Sequence, residues 1–251
     1  MNENTHNIKG GSMLEIKNLS TGYNSSQLIL KDISMTIPKG IIYGFIGPNG
    51  AGKTTTLKAI IGILPFKQGE VYIDGHNLRT DPLACKKVIA YVQDNPEIYP
   101  YLTGQQFLDF MADMYDIAID LRRVRIEKYS ALLKFKPFLN QLVSSYSHGT
   151  KQKLAIIGAL ITNPKLLILD EPFVGLDPEA TLNLRVIMRD LCQQGSSVFF
   201  STHVLEVAQK ICDKIAMIRD GEIVIEGNTQ DLIQSTDLER IFLEQVQSHD
   251  N

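Results

Sequence analysis

The chain carries a glycine-rich segment that ends in a lysine and a threonine, Gly47-Pro48-Asn49-Gly50-Ala51-Gly52-Lys53-Thr54. The segment satisfies every required position of the pattern G-x-x-x-x-G-K-(S/T), and it lies between a strand-like apolar run and a helix-forming run. Its glycines let backbone N–H groups converge on phosphate oxygens, and the N-terminus of the following helix adds partial positive charge. The segment and the adjacent Thr55 therefore predict a nucleotide site, in which the Lys53 ammonium reaches the terminal phosphates and the Thr54 hydroxyl binds Mg²⁺.

Two adjacent acids, Asp170 and Glu171, follow the fully apolar run 166–169 later in the chain. Carboxylates at the C-terminal end of a buried parallel strand lie where open α/β sheets bind their ligands. We expect Asp170 to hold Mg²⁺, through water, and Glu171 to act as the general base on an attacking water. Taken alone, the pair describes a solvated acidic turn equally well, and the phosphate-binding segment is what favours a catalytic site.

A third segment, Tyr146-Ser147-His148-Gly149-Thr150-Lys151-Gln152-Lys153, lies just before the acidic run. It resembles the signature motif of ABC-type ATPases, which is usually written LSGGQ. His148 and Thr150 replace a glycine and a glutamine of the usual signature, whereas Ser147 and Gly149 are retained. The resemblance covers about residues 13–235, and it implies that Ser147 and Gly149 contact the phosphates of a bound ATP.

Four further residues stand where the resemblance places family motifs. Tyr23 resembles the aromatic residue that stacks on adenine, and Gln93 resembles the glutamine that contacts Mg²⁺ and the catalytic water. Asp177, in the segment 175–178, resembles the aspartate of the D-loop, and His203 resembles the switch histidine that contacts the γ-phosphate. Each residue alone would be an ordinary packed, polar, capping or turn residue, so their order along the chain is what indicates the family.

The alternation of strand-like and helix-like runs predicts an α/β fold with a parallel sheet. The resemblance implies a P-loop NTPase core with a mostly parallel sheet, an antiparallel β subdomain and a helical insertion, as in ABC ATPases. We expect a disordered leader or cloning remnant at residues 1–12 and the ATPase domain at 13–235. A helical subdomain is expected at about 96–150 within it, and a short helical tail at 236–251.

Composition limits the possible partners. The chain has 251 residues, 44% of them hydrophobic, and a net charge of -3, so it lacks the basic footprint of a nucleic-acid-binding protein. Its three cysteines match no zinc or disulfide pattern, which predicts reduced, packed thiols. No apolar run approaches the roughly 20 residues that a membrane-spanning helix requires. We therefore expect any membrane association to be peripheral and to depend on partners.

The resemblance implies that two such chains, identical or related, bind ATP between them, head to tail. It further implies that ATP hydrolysis powers transport through separate transmembrane permease subunits at the cytoplasmic face of the cell membrane. The signature variant and the segment 93–97 resemble the export-type, ABC-2-like subunits of bacteria. Two alternatives stay open: a soluble ABC ATPase that acts in assembly or translation, and a nucleotide-sensing module, against which Glu171 and His203 argue.

Overall fold

The computed structural model describes residues 11–23 and 27–235, together with Leu238 and Phe242. Strands and helices alternate along most of this part of the chain. The strands are β1 (Ser12–Thr21), β2 (Leu30–Pro38), β3 (Ile42–Ile46), β4 (Gln68–Ile73), β5 (His76–Asn77), β6 (Ile89–Val92), β7 (Leu166–Asp170), β8 (Ser197–Thr202), β9 (Lys214–Arg219) and β10 (Glu222–Asn228). The helices are α1 (Lys53–Ile60), α2 (Pro82–Val88), α3 (Gly104–Met114), α4 (Ile119–Leu132), α5 (His148–Ile161), α6 (Pro178–Gln193), α7 (Leu205–Ile211) and α8 (Thr229–Ser235).

A six-stranded sheet in the order β10-β9-β3-β8-β7-β6 separates the two hydrophobic cores of the protein. Its strands pair in parallel, apart from the antiparallel pair of β9 with β10. The carboxyl ends of β3, β7 and β8 therefore meet at one edge, which is where open α/β sheets bind ligands. The predicted, mostly parallel core sheet is confirmed.

A second sheet, in the order β2-β1-β4-β5, is antiparallel throughout and confirms the antiparallel β subdomain. Its β4–β5 hairpin turns at Asp74 and Gly75, with φ of 48° and 85°. The β9–β10 hairpin turns at Asp220 and Gly221, with φ of 50° and 82°. Two successive residues with positive φ match the twist of the flanking strands, which explains why both turns use Asp-Gly.

Side chains of the central strands alternate between the two cores. Tyr43 and Phe45 of β3 pack with α1 and the four-stranded sheet, whereas Ile42 and Ile46 pack with the larger helices on the opposite face. This alternation follows from the period of two along a strand. Because both faces are covered, the strands read as continuous apolar runs in the sequence.

Helices α3 and α4 lie between β6 and α5, as the sequence predicts for a helical insertion. Thr103 and Gln106 fix the start of α3 through a capping box, in which each side chain bonds to the other's backbone N–H. The apolar stripe of α3 is divided: Phe107 and Met111 pack against the core, whereas Phe110 and Met114 are 44% and 63% exposed.

The two predicted terminal segments lie largely outside the described residues. Of the predicted leader, residues 1–12, only the last two are described, and Ser12 is the first residue of β1. The predicted tail, residues 236–251, lies outside the described residues apart from Leu238 and Phe242.

Two predictions from composition can be compared with the structure. Cys85, Cys192 and Cys212 are buried free thiols, which agrees with packing as small apolar residues. Within residues 11–23 and 27–235, no helix combines the length and the apolar character needed to span a membrane.

Candidate active site

The glycine-rich segment forms the turn between β3 and α1. Gly50 and Gly52 have φ of +83° and +110°, a region that side chains with a Cβ rarely adopt. A Cβ on Gly52 would also lie 2.9 Å from Cδ2 of Leu30. The glycines are therefore required by the backbone, and the turn directs the first N–H groups of α1 toward the carboxyl edge of the sheet.

Lys53 folds back over this turn and is only 7% exposed. Its Nζ donates to the carbonyl oxygens of Gly47 and Pro48 at 2.7 and 3.1 Å, and it lies 3.6 Å from Oε1 of Glu171. Burial lowers the pKa of the Lys53 ammonium, and nearby acids, Glu171 first, oppose that shift. An ammonium held in this way can pair with a phosphate group that enters the turn.

Thr54 and Asp170 join α1 to the end of β7. The Thr54 hydroxyl donates to Oδ2 of Asp170 at 2.7 Å, and the Ser201 hydroxyl donates to Oδ1. Hydroxyl and carboxylate oxygens suit Mg²⁺, which usually keeps several waters and binds nucleotide phosphates. Among the described residues, no group of three or more His, Cys, Asp or Glu side chains could hold a metal alone.

Glu171 is the first residue beyond β7, and its φ of +46° lies in the left-handed region that is unusual for glutamate. Its N–H donates to both the carbonyl and the hydroxyl oxygen of Ser201, at 3.2 Å each. Its Oε1 lies 3.0 Å from Nδ1 of His203, which follows β8. Neighbouring parallel strands thus bring Glu171 and His203 together at the carboxyl edge of the sheet.

A cavity of about 330 Å³ opens at this edge. Most of the predicted phosphate-binding residues line it, together with Asp94, an acid for which the sequence predicted no role. The lining residues are Ile29, Asn49, Gly50, Gly52, Lys53, Thr54, Thr55, Asp94 and Glu171. Ala51 does not line the cavity: it is 1% exposed, and its N–H donates to the carbonyl of Pro48 at 3.3 Å.

Gln93 does not line the phosphate cavity, so its contact with Mg²⁺ and the catalytic water stays a prediction. The Gln93 side chain donates through Nε2 to the carbonyl of Asn95 at 2.8 Å, and Gln93 borders a different cavity, beside Phe107 and Met111. Asp94 lines the phosphate cavity instead. Both residues follow β6, where successive side chains leave an extended backbone on opposite sides. The sequence shows two adjacent polar residues after a strand, but only the strand's register decides which one faces the site.

Tyr23 does not line the phosphate cavity. It is 56% exposed and borders a separate hollow of about 230 Å³, with Leu28, Pro65 and Phe66 among the other lining residues. A half-exposed ring beside apolar side chains can stack on a flat heterocycle, so adenine stacking stays a prediction for Tyr23.

Ser147, Gly149 and Asp177 are absent from the lining of the phosphate cavity. Ser147 caps α5, its hydroxyl accepting from the N–H of Thr150 at 3.2 Å. A Cβ on Gly149 would lie 2.1 Å from the carbonyl oxygen of Gly175. The signature segment therefore packs against the loop that leads from Glu171 to α6.

Both carboxylate oxygens of Asp177 are used within the chain. Oδ1 accepts from the N–H of Ala180 at 2.8 Å, and Oδ2 accepts from Nζ of Lys153 at 2.6 Å. The bond from Lys153 is the main reason why the pKa of Asp177 is lowered. In this arrangement Asp177 joins α6 to α5, and the nucleotide contact predicted for it is not formed by its own chain's phosphate site.

The comparisons with known proteins agree with this site. Residues 30–174 match the family model described as ABC transporter. An uncharacterized ABC transporter ATP-binding protein of Nostoc sp. is 36% identical over 219 residues, and the match covers 86% of this chain but only 65% of that protein. The ABC transporter ATP-binding protein NatA of Bacillus subtilis is 31% identical over 241 residues, covering 93% of this chain and 98% of NatA.

A solved structure described as the ATP binding subunit of an ABC transporter superposes with a TM-score of 0.87 at 31% identity. The match covers 94% of this chain and 100% of that one. Fold, pocket and sequence similarity therefore lead to the same assignment. The chain belongs to the ATP-binding proteins of the ABC transporter family, which are ATPases.

Proposed function

We propose that two copies of this chain, or this chain and a related one, hydrolyse ATP in sites shared between them and thereby power transport through separate membrane subunits. The observation that carries the proposal is the separation of two phosphate-binding elements in one chain. The turn 47–54 lines the phosphate cavity, whereas Ser147 and Gly149 do not. A second chain, placed head to tail, would supply its own signature segment to this cavity.

The roles follow from the contacts within the cavity. Lys53 binds the terminal phosphates, and the Thr54 and Asp170 oxygens hold Mg²⁺, which when bound neutralises phosphate charge. Glu171 orients and deprotonates the attacking water, while His203, 3.0 Å from Glu171, stabilises developing charge. The Ser147 hydroxyl and N–H groups of the partner's signature segment bind the γ-phosphate. Because these contacts need the γ-phosphate, bound ATP favours the closed dimer of the two chains. Hydrolysis removes the contacts, and the dimer can then open.

A groove beside Gln93 is evidence in favour of a membrane-protein partner. It has a volume of about 240 Å³, and Pro96, Ile98, Phe107 and Met111 contribute apolar lining. Tyr99 and Met114, adjacent in sequence to the lining residues Ile98 and Tyr115, are 66% and 63% exposed, and Tyr101 is 87% exposed. Apolar grooves with aromatic rims are typical docking sites for an amphipathic helix. We infer that a cytoplasmic helix of a transmembrane permease subunit docks here, which places the chain at the cytoplasmic face of the membrane.

Export is the direction that the sequence supports. The signature variant Ser147-His148-Gly149-Thr150 and the segment 93–97 resemble export-type subunits of bacteria. The transported substrate is recognised by the membrane subunit, so nothing in this chain selects it.

Complementation tests the shared site. Lys53→Ala disables the phosphate turn, and Ser147→Arg blocks the signature segment, so each variant alone should have no ATPase activity. Mixed chains should regain activity, because one of their two sites combines an intact turn with an intact signature. A chain carrying both substitutions, mixed with either single variant, cannot form such a site and is the control. Absence of recovery in the first mixture would contradict the proposal.

A soluble ABC ATPase without a membrane partner is the second candidate. The exposed apolar rim of the groove favours the transporter, because such side chains are costly to leave in water without a partner. Affinity purification from detergent-solubilised membranes distinguishes the two. Recovery of an integral membrane protein with the wild-type chain, lost in Tyr101→Asp and Met114→Asp, supports the transporter.

A further inference from the structure

The phosphate cavity has an unusual balance of charge. Among the described residues that line it, Lys53 is the only cation, whereas Asp94 and Glu171 are both acidic. Asp170 adds a third carboxylate, joined to the lining by its 2.7 Å bond from Thr54. A triphosphate that enters this cavity meets more negative than positive side-chain charge, which opposes its binding.

Asp94 differs from the other two acids in its surroundings. Asp170 accepts hydrogen bonds from Thr54 and Ser201, and Oε1 of Glu171 lies 3.6 Å from Nζ of Lys53 and 3.0 Å from Nδ1 of His203. Asp94 follows β6 and lines the same cavity as Lys53, and its charge is one of several that partly oppose the lowering of the Lys53 pKa by burial. Its effect on a ligand is therefore chiefly electrostatic, and it depends on the charge that the ligand carries.

We propose that Asp94 makes this pocket select metal-bound nucleotide over free nucleotide. The inference rests on the proposed nucleotide-hydrolysing function and concerns the same site. The magnesium complex of ATP carries about two fewer negative charges than free ATP, so the Asp94 carboxylate repels the free form more strongly.

The test measures two dissociation constants of adenylyl imidodiphosphate by isothermal titration calorimetry, one in excess MgCl₂ and one in EDTA. This analogue resists hydrolysis, so the measurement is independent of turnover. The dissociation constant in EDTA divided by the one in MgCl₂ measures the selectivity for the metal complex. In Asp94→Asn the ratio should fall by about tenfold, equivalent to about 1.4 kcal/mol, mainly because the metal-free form binds more tightly.

Two variants separate charge from a structural effect. Asp94→Glu keeps the charge and should keep most of the selectivity. Asp190→Asn removes the same charge at an exposed position of α6, outside the cavity lining, and should leave the ratio at the wild-type value. If Asp94→Asn changed both constants in proportion, leaving the ratio unchanged, this inference would fail while the proposed function stood. If the wild-type chain bound the analogue in neither buffer, the proposed function would fail with it.

Discussion

At the residue scale, one carboxylate oxygen of Glu171 lies close to both His203 and Lys53. Oε1 of Glu171 lies 3.0 Å from Nδ1 of His203 and 3.6 Å from Nζ of Lys53. The left-handed backbone of Glu171 places the side chain there, and such conformations persist at functional sites where the surrounding structure enforces them. The residue proposed to bind phosphate, Lys53, and the proposed base, Glu171, are therefore neighbours, and single substitutions can test the two roles separately.

Lys53→Ala should weaken ATP binding by roughly ten- to a hundredfold, because a charge-assisted hydrogen bond contributes about 1.5–3 kcal/mol. Calorimetric titration with ATP provides the measurement. Lys58→Ala, in the last turn of the same helix and outside the cavity lining, is the matched control. Equal affinity in the two variants would show that Lys53 does not bind phosphate.

Glu171→Gln should still bind ATP, while turnover falls by about 10²–10⁴-fold, the usual contribution of a general base. The amide keeps the shape of the side chain but cannot accept the proton of the attacking water. Phosphate release gives the rate, and light scattering should show a nucleotide-dependent dimer that accumulates. Glu206→Gln, at an exposed position of α7, should behave as wild type. Near-normal turnover in Glu171→Gln would rule out the role of base.

At the element scale, the N-terminus of α5 and the loop 171–177 form one unit. Gly149 packs against the Gly175 carbonyl, and Lys153 bonds to Asp177 at 2.6 Å. The cap of α5 is thus joined to the loop that begins at Glu171. A signature segment that contacts a partner's nucleotide would be linked in this way to the base of its own chain's site.

Gly149→Ala should force α5 and this loop apart, because the added Cβ would lie 2.1 Å from a backbone oxygen. Overpacking of this kind costs about 1–3 kcal/mol of unfolding free energy, and ATPase activity should fall with it. Urea unfolding and phosphate release are the two measurements. Gly11→Ala, where nothing lies within 4 Å of the added atom, is the control. A variant as stable as wild type would mean that the two elements are not closely packed.

At the scale of the whole molecule, Asp74 ties the two sheets together. Its carboxylate bonds to Lys165, just before β7, at 2.7 Å and to Lys39, between β2 and β3, at 2.5 Å. These hydrogen bonds lower the pKa of Asp74 below 3.8. The turn of the antiparallel subdomain is thereby held at the amino ends of two central strands, opposite the edge that carries the site.

Asp74→Asn should reduce the unfolding free energy at neutral pH, and the reduction should disappear in acid. A carboxyl group whose pKa is lower in the folded state stabilises the fold above its unfolded pKa, here near 3.8, and loses that contribution as pH falls through the folded value. Urea unfolding of both proteins from pH 7 to pH 3 tests this. Asp190→Asn, at an exposed position of α6, should show no such pH-dependent difference. A wild-type advantage that stayed constant from pH 7 to pH 3 would contradict the assignment, because the advantage should begin to shrink near pH 3.8.

The sequence alone determined where the candidate functional motifs lie along the chain. His203 was identified only through its resemblance to a family motif. The glycine-rich turn and the acids after β7 could be located because each depends on local geometry, and the Asp-Gly turns follow from the same local preference. The parallel sheet followed from the alternation of elements. These features are short-range, so residue types and spacing are sufficient to predict them.

Only the tertiary structure decided which side chains share a cavity. Asp94 rather than Gln93 faces the phosphate site, because strand register assigns adjacent residues to opposite sides. Arg122 of α4 pairs with Asp109 and Asp113 of α3. Side-chain direction and pairing depend on contacts between distant segments, and no local pattern in a single sequence encodes those contacts.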